Sequence, residues 1–236
     1  MIPKIIHYCW YGYNKKSPII EKCIDSWKKA FPDYEIIEWN EKNTDLDECS
    51  YVKKAYMEKK WAFVSDYVRM KVLYEQGGMY FDTDVEVLKR FPDELFELDS
   101  FSGIEEFSKL VSPGLVLACN PGNRIIKELL DEYKNSDFVN ERIEDIKTVN
   151  LRMTEKLEKK GYKKENIKQI VSGMTIFPSS VFCGYDAEKR TIKIEADTLS
   201  VHHYAHSWFP WYRKVRMFFG TVYRRMKYGL ATRLKK

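Results

Sequence analysis

The sequence predicts an α/β fold, and three observations predict it. Two short apolar runs rich in β-branched and aromatic residues, 4–10 and 34–39, bracket a helical pattern beginning at Pro18, giving strand–helix–strand in about 36 residues, the unit of a parallel sheet. A long helical stretch, 52–75, then meets Gly77-Gly78 and a short apolar run, Met79-Tyr80-Phe81. The length, 236 residues with 44% hydrophobic content, suits one α/β domain or one domain with an appendage.

Each element has a local cause. In the first helix Ile19, Ile20, Cys23, Ile24 and Trp27 share a face, and Phe31-Pro32-Asp33 ends it. The stretch 52–75 reads as two helices. In the second, Ala62, Phe63, Asp66, Arg69, Met70 and Leu73 recur at i, i+3, i+4 spacing. Gly77 suits a C-terminal cap, where glycine alone enters left-handed backbone cheaply. Further strands are expected at 101–104, 115–119, 174–177 and 198–204, and a helix at 125–133 after the turn Asn120-Pro121-Gly122. Residues 134–168 are charged and read as mostly helical with weak faces.

Charge is unevenly placed. Residues 211–236 hold nine Lys or Arg and no acid; subtracting these from the net +5 leaves −4 for residues 1–210. The expected organisation is a body, 1–210, and a basic helical tail, 211–236, whose aromatic and aliphatic face suits an anionic membrane surface or the body itself. The overall basic balance therefore says nothing about nucleic-acid binding by the body, and no nucleic-acid partner is expected. Five cysteines, odd in number and widely spaced with no C-x-x-C, argue for reduced thiols, a cytoplasmic setting and no zinc site. No signal peptide is read at the start, and no apolar run reaches the ~18 residues of a membrane span.

The chemistry gathers at a few positions. Asp82 and Asp84 follow a strand end, and hard divalent cations take one or two carboxylates with phosphate oxygens completing the shell. Ligands in open α/β sheets sit beyond the carboxyl ends of strands. Extended-chain alternation would put both acids on one side and Thr83 on the other. Asp66 and Arg69 form a charged pair on an otherwise apolar helix face, which costs several kcal/mol unless the groups are satisfied. They read either as an ion pair at the rim or as the lining of a polar pocket, the carboxylate for sugar hydroxyls and the guanidinium for phosphate or sugar oxygens. Trp10, at the end of the first strand, reads as a base-stacking surface or as a rim tryptophan. His202, His203 and His206 precede Ser207 and Trp208, two donors suited to a diphosphate. Alternation lets only one of His202 and His203 face the acids; we assign His203 as the third metal ligand.

The run from Trp61 to Arg69 and on through Leu73 to Asp84 closely resembles the DXD-motif sugar transferases of glycosyltransferase family 32. That group includes capsular-polysaccharide transferases and yeast initiating mannosyltransferases, and the clostridial glucosylating toxin domains are similar. Residues 2–10 and 202–208 also resemble the family's opening strand and closing motif. The resemblance implies a GT-A fold, a single Rossmann-like mixed sheet flanked by helices. It implies a retaining hexosyltransferase using a nucleotide sugar, UDP-hexose by its tryptophan stack, with Mn²⁺ or Mg²⁺. By the same resemblance Trp10 stacks on the base, Asp66 and Arg69 hold the donor sugar, and Tyr80 lies by the pocket. Asp82 touches ribose and metal, Asp84 binds metal, and Ser207 and Trp208 bind the β-phosphate. The chain departs from the family at His206, where glycine is common, and at Thr148-Val149-Asn150 in place of Thr-Gly-Pro. Asn150 is assigned as an amide near the anomeric carbon. The expected acceptor is a glycan or lipid-linked oligosaccharide in surface-polysaccharide synthesis, at the inner membrane face. Competing readings are a catalytically inactive carbohydrate- or nucleotide-binding module, and a nucleotidyltransferase. The latter lacks a phosphate-cradling glycine loop.

Overall fold

In the computed structural model, residues 1–138, 147–186, 188, 189 and 191–205 are described. The chain opens with β1 (Ile5–Cys9), α1 (Pro18–Ala30) and β2 (Glu35–Trp39). Pro18 starts α1 where a missing N–H costs nothing, and β1 and β2 pair in parallel. Two helices follow, α2 (Ser50–Met57) and α3 (Trp61–Gln76). Gly77 caps α3 with φ +66°, and a Cβ there would lie 2.7 Å from Pro121. Gly78 has φ +91° and presses on the Ile5 carbonyl, where a Cβ would come within 2.6 Å. The double glycine therefore lets β3 (Gly78–Tyr80) leave the helix at once and lie beside β1. Buried His7 fastens the junction, its Nε2 donating to the Gly77 carbonyl while Nδ1 accepts from Trp39.

Next come β4 (Val85–Val87), β5 (Ser100–Ile104), β6 (Val111–Cys119) and α4 (Arg124–Lys134), which is N-capped by the Asn123 side chain. The described chain continues with α5 (Val149–Glu158), β7 (Gln169–Val171), β8 (Met174–Phe177) and α6 (Ser179–Phe182). It ends with β9 (Tyr185–Asp186), β10 (Thr191–Ile192) and β11 (Ser200–His202). Seven strands form one sheet in the order β2-β1-β3-β6-β5-β8-β7. It is mixed: β2-β1-β3 and β5-β8 are parallel, whereas β6 is antiparallel to both its neighbours. β4 and β11 make a separate antiparallel ribbon.

Alternation along the strands divides the core in two. Met79 and Phe81 face α1 and a cluster of rings that includes Trp27, Phe31, Phe91 and Phe101. Tyr80, Leu117 and Ile176 face α2, α3, α4 and α5. The expected single apolar stripe on α3 is an underestimate. Val64, Tyr67, Val68 and Val72 are buried as well, because α2 and α4 cover the side away from the sheet. Within the stretch 134–168, the described residues after Glu158, where α5 ends, are not helical as expected but turn toward β7. Residues 139–146 and the basic tail 211–236 lie outside the described residues.

Candidate active site

A cleft of about 580 Å³ opens where β1 and β3 end. Its walls carry Trp10, Asp66, Arg69, Tyr80, Asp82, Asp84 and Asn150, so seven of the residues singled out in the sequence meet in one place. Ser207, Trp208 and His206 lie outside the described residues.

The two aspartates do not sit on extended chain. Asp82 to Val85 is a turn closed by the Val85 N–H on the Asp82 carbonyl at 3.0 Å, and Thr83 lines the cleft with them. The turn forms because the chain must leave β3 and reverse into β4. The Asp82 N–H donates to the Gly114 carbonyl at 2.9 Å, fixing where the turn starts.

Arg69 holds Asp82. Its Nη2 donates to Asp82 Oδ1 at 2.7 Å, and the guanidinium lies 4.4 Å from the Tyr80 ring centroid. Asp66 is farther, with 3.7 Å between its Oδ1 and the same nitrogen. The pair on α3 is therefore neither a rim ion pair nor simply an i, i+3 bridge: both groups are buried, and Arg69's chief partner comes from the β3 turn. Burial would lower the Arg69 pKa, but Asp82, Tyr80 and Asp66 outweigh it and hold the group charged. Burial pushes the Asp66 carboxyl up to about 6 against the pull of Arg69. Asp66 Oδ2 accepts the Val149 N–H at 3.3 Å, so it also meets the first turn of α5. Beside it the Asn150 amide donates to Ser112 Oγ at 3.2 Å.

The ribbon of β4 and β11 holds Asp84. The register sets His202 opposite Val85, and His202 Nε2 lies 3.1 Å from Asp84 Oδ1 while the Ala205 N–H donates to Oδ2 at 2.8 Å. Burial alone would raise the Asp84 carboxyl; His202 and the Ala205 N–H overcome it and hold the group well below the usual carboxylate range. Asp84 in turn raises His202 above its ordinary value, against desolvation. The assignment of His203 is corrected here. Its Nε2 bonds Glu86 Oε2 at 2.8 Å on the other side of the ribbon, where Lys22 also meets Glu86. His202 is the histidine that lines the cleft.

Trp10 is half-buried on the opposite wall, its indole N–H on the Asn14 carbonyl at 2.7 Å and Lys16 5.4 Å from its ring. Sequence reasoning missed Glu105, Phe107, Ser112 and Gly114. Gly114 has the sharpest reason to be glycine: a Cβ there would sit 2.1 Å from Asp82 Oδ2. The only local signal was the pair Pro113-Gly114 inside an apolar run.

The acids fit a divalent cation of the Mg²⁺ or Mn²⁺ kind. Among the described residues no three His, Cys, Asp or Glu side chains form a closed cage. Such ions do not require one, since phosphate oxygens and water complete a shell begun by one or two carboxylates. Asp84 is ionised and both acids line the cleft. Buried beside them, His202 Nδ1 and Arg69 Nε have no hydrogen-bond partner among the described residues.

Residues 19–102, which carry Asp66, Arg69, Tyr80, Asp82 and Asp84, match the family described as glycosyltransferase sugar-binding region containing DXD motif. The chain is also similar to Subversion of eukaryotic traffic protein A of Legionella pneumophila (strain Philadelphia 1). They are 24% identical over 173 residues, covering 61% of this chain and 27% of that protein. The match thus spans about a quarter of that curated relative. Among solved structures, PaToxG glycosyltransferase superposes with a TM-score of 0.51 at 20% identity, covering 67% of this chain and 69% of that one. The galactosyltransferase LgtC, solved with donor and acceptor sugar analogues, gives 0.49 at 13% identity, covering 86% and 88%. A glycosyltransferase involved in glycosylating the major capsid of PBCV-1 gives 0.47 at 13%, covering 87% and 95%. The fold is of GT-A architecture, as in PaToxG glycosyltransferase. The matched span, residues 19–102, contains Asp82-Thr83-Asp84 just beyond the end of β3.

Proposed function

We propose that this glycosyltransferase moves a hexosyl unit from a UDP-hexose to a glycan or lipid-linked glycan, with retention of anomeric configuration and with Mn²⁺ or Mg²⁺ held by Asp82 and Asp84. One observation carries the reading: the two acids, each fixed by a separate wall, open onto the same cleft as Asp66, Arg69 and Trp10. A cleft of about 580 Å³ is within the range of a small-molecule site.

The roles follow from side-chain chemistry. Trp10 offers a flat face for the base, and stacking of this kind contributes ~1–3 kcal/mol. Asp66 accepts hydrogen bonds from the donor sugar's hydroxyls. Arg69 fixes Asp82 and presents its buried Nε to the donor, Tyr80 supports the guanidinium from below, and Asn150 reaches toward the anomeric carbon. Ser207 and Trp208 would donate to the β-phosphate. When bound, the divalent ion supplies Lewis-acid stabilisation of the departing diphosphate. Fixed donors in a water-poor site add to it without reorganising. The acceptor oxygen bonds to the anomeric carbon as the bond to the β-phosphate oxygen breaks. The acceptor's proton passes to that same departing oxygen, on the same face, so no enzyme carboxylate need be alkylated.

The basic tail supports a place at the cytoplasmic face of a membrane and a role in surface-polysaccharide assembly. Truncation at residue 212 is expected to abolish co-sedimentation with anionic vesicles and to spare transfer to a soluble acceptor; unchanged co-sedimentation removes the anchor. The transferase reading itself is tested by nucleotide-sugar turnover. The whole chain with UDP-glucose, UDP-galactose or GDP-mannose and Mn²⁺ is expected to release nucleotide from a UDP-sugar. Mn²⁺-independent binding with no release from any of them would leave an inactive binding module instead.

A further inference from the structure

The donor chemistry uses one half of the cleft and leaves the other half with a built surface of its own. That surface is carried by the hairpin between β5 and β6. Glu105 closes the hairpin, its N–H donating to the Leu110 carbonyl at 2.9 Å, and Lys109 adopts left-handed backbone with φ 57° to turn the chain. The loop is tied on both flanks. Tyr162 donates to the Lys109 carbonyl at 3.1 Å, and Glu106 accepts from Asn166 at 3.3 Å and from the Ser179 hydroxyl. A loop so anchored has every means of tucking an aromatic ring inward, yet Phe107 stands 58% exposed at its tip and lines the cleft.

Phe107 is not an isolated surface ring. It lies 5.6 Å from Tyr204, which lies 4.1 Å edge-on to His202, the histidine on Asp84. A file of rings thus runs from the cleft mouth to the acid pair. Tyr204 has φ 50°, left-handed backbone that is unfavourable for a bulky residue and persists only where the surroundings enforce it. Cys183 Sγ, 3.2 Å from its hydroxyl, is one of the groups that hold it. Glu105 lies beside this file and lines the same space. Burial raises its carboxyl above the ordinary range against the pull of Ser108 and His202. Hydrogen bonds from a ligand's hydroxyls would replace the water it has lost.

Resting on the glycosyl-transfer reading above, we propose that Phe107, Tyr204 and Glu105 form the acceptor subsite, and that its ligand is a pyranoside. The C–H face of a pyranose ring is apolar and flat enough to lie on Phe107, as aromatic surfaces take such faces. A carboxylate accepts from hydroxyls and donates nothing, so Glu105 selects a ligand with hydroxyls on its rim. From this position a sugar hydroxyl faces the acid pair across His202. A peptide side chain would have one hydroxyl for Glu105 and no second face for the ring.

The test uses the whole chain, Mn²⁺ and UDP-glucose or UDP-galactose, whichever is turned over, with methyl pyranosides of glucose, galactose and mannose as acceptor probes. Nucleotide release and nucleotide affinity are measured for wild type, Phe107→Ala and Glu105→Gln. Phe107 is at the surface and Gln matches Glu in shape, so neither variant threatens the fold. At least one pyranoside is expected to accelerate release by wild type and to appear as product. Its KM is expected to rise roughly tenfold in each variant, with UDP affinity within about twofold of wild type. An unchanged pyranoside KM in both variants overturns the subsite while leaving the transferase intact. Acceleration by no pyranoside but by a hydroxyl-bearing protein overturns the ligand class. If wild type fails to bind any nucleotide, the transferase reading falls first and takes the subsite with it.

Discussion

Asp82 and Asp84 stand two residues apart in one turn, yet they are held in opposite ways. Asp82 is fixed by Arg69, a buried cation that stays charged at any accessible pH, and by a close approach to Gly114. Asp84 is fixed by a titratable imidazole and a backbone N–H from β11. Sequence puts the acids together, and tertiary structure gives them separate supports. The first wall belongs to the α3–sheet core; the second belongs to a two-stranded ribbon beside it. A change to the first should therefore cost stability as well as function, and a change to the second should cost function more than stability.

The sharpest break in that comparison is Asp84→Ala, expected to lower turnover roughly a hundred- to a thousandfold while circular dichroism shows the chain still folded; this is the scale of losing one essential group for developing charge. Substantial turnover would remove Asp84 from the reaction. Arg69→Ala is the converse. It leaves Asp66 and Asp82 facing each other without their cation, and truncating one partner of a buried ionic set costs about 3–5 kcal/mol, readable in urea unfolding. A loss no larger than that of Asp84→Ala would erase the distinction between the walls. Trp10→Ala leaves both walls intact and is expected to weaken UDP binding by ~1–3 kcal/mol in a calorimetric titration.

Asp66 sharpens the comparison through pH. Its folded pKa of about 6 lies above the ordinary carboxylate value, so the folded protein binds the extra proton between about pH 4 and 6. The contribution is fully present below about pH 4 and is lost as pH rises through 6. Asp66→Asn should therefore flatten that limb and raise stability at pH 7 while transfer is lost. A variant less stable than wild type at pH 7 would contradict the burial account. The smallest effect belongs to Gly114→Ala. The new methyl displaces the Asp82 carboxylate, and nucleotide affinity in Mn²⁺ is expected to fall roughly tenfold with affinity in EDTA unchanged.

The parts of this molecule legible in its sequence are those fixed by local chemistry. Pro18 starts α1, Gly77-Gly78 ends α3 and starts β3, and short apolar runs rich in β-branched and aromatic residues yield most strands of the sheet. The acids, Asp66 and Arg69 stood out because charge in an apolar pattern demands a partner. What stayed hidden depends on contacts made far along the chain. β4, β9 and β10 are two or three residues long and exist only through their ribbon partners. Alternation required one of His202 and His203 to face the acids, but its phase is set by the pairing of His202 with Val85, which no local pattern records. Asp82-Thr83-Asp84 looked extended because it follows a strand; the reversal into β4 makes it a turn. Glu105 and Phe107 gave no signal, since their meaning arises only when the β5–β6 hairpin is brought over Tyr204.

The central claim is that the two acids grip a divalent ion shared with a nucleotide diphosphate, and titration of UDP with and without Mn²⁺ into wild type and Asp84→Asn tests it most directly. The account predicts that Mn²⁺ tightens UDP binding at least tenfold in wild type and leaves Asp84→Asn unaffected. Equal affinity with and without Mn²⁺ in wild type, or the same Mn²⁺ gain in the variant, would contradict it.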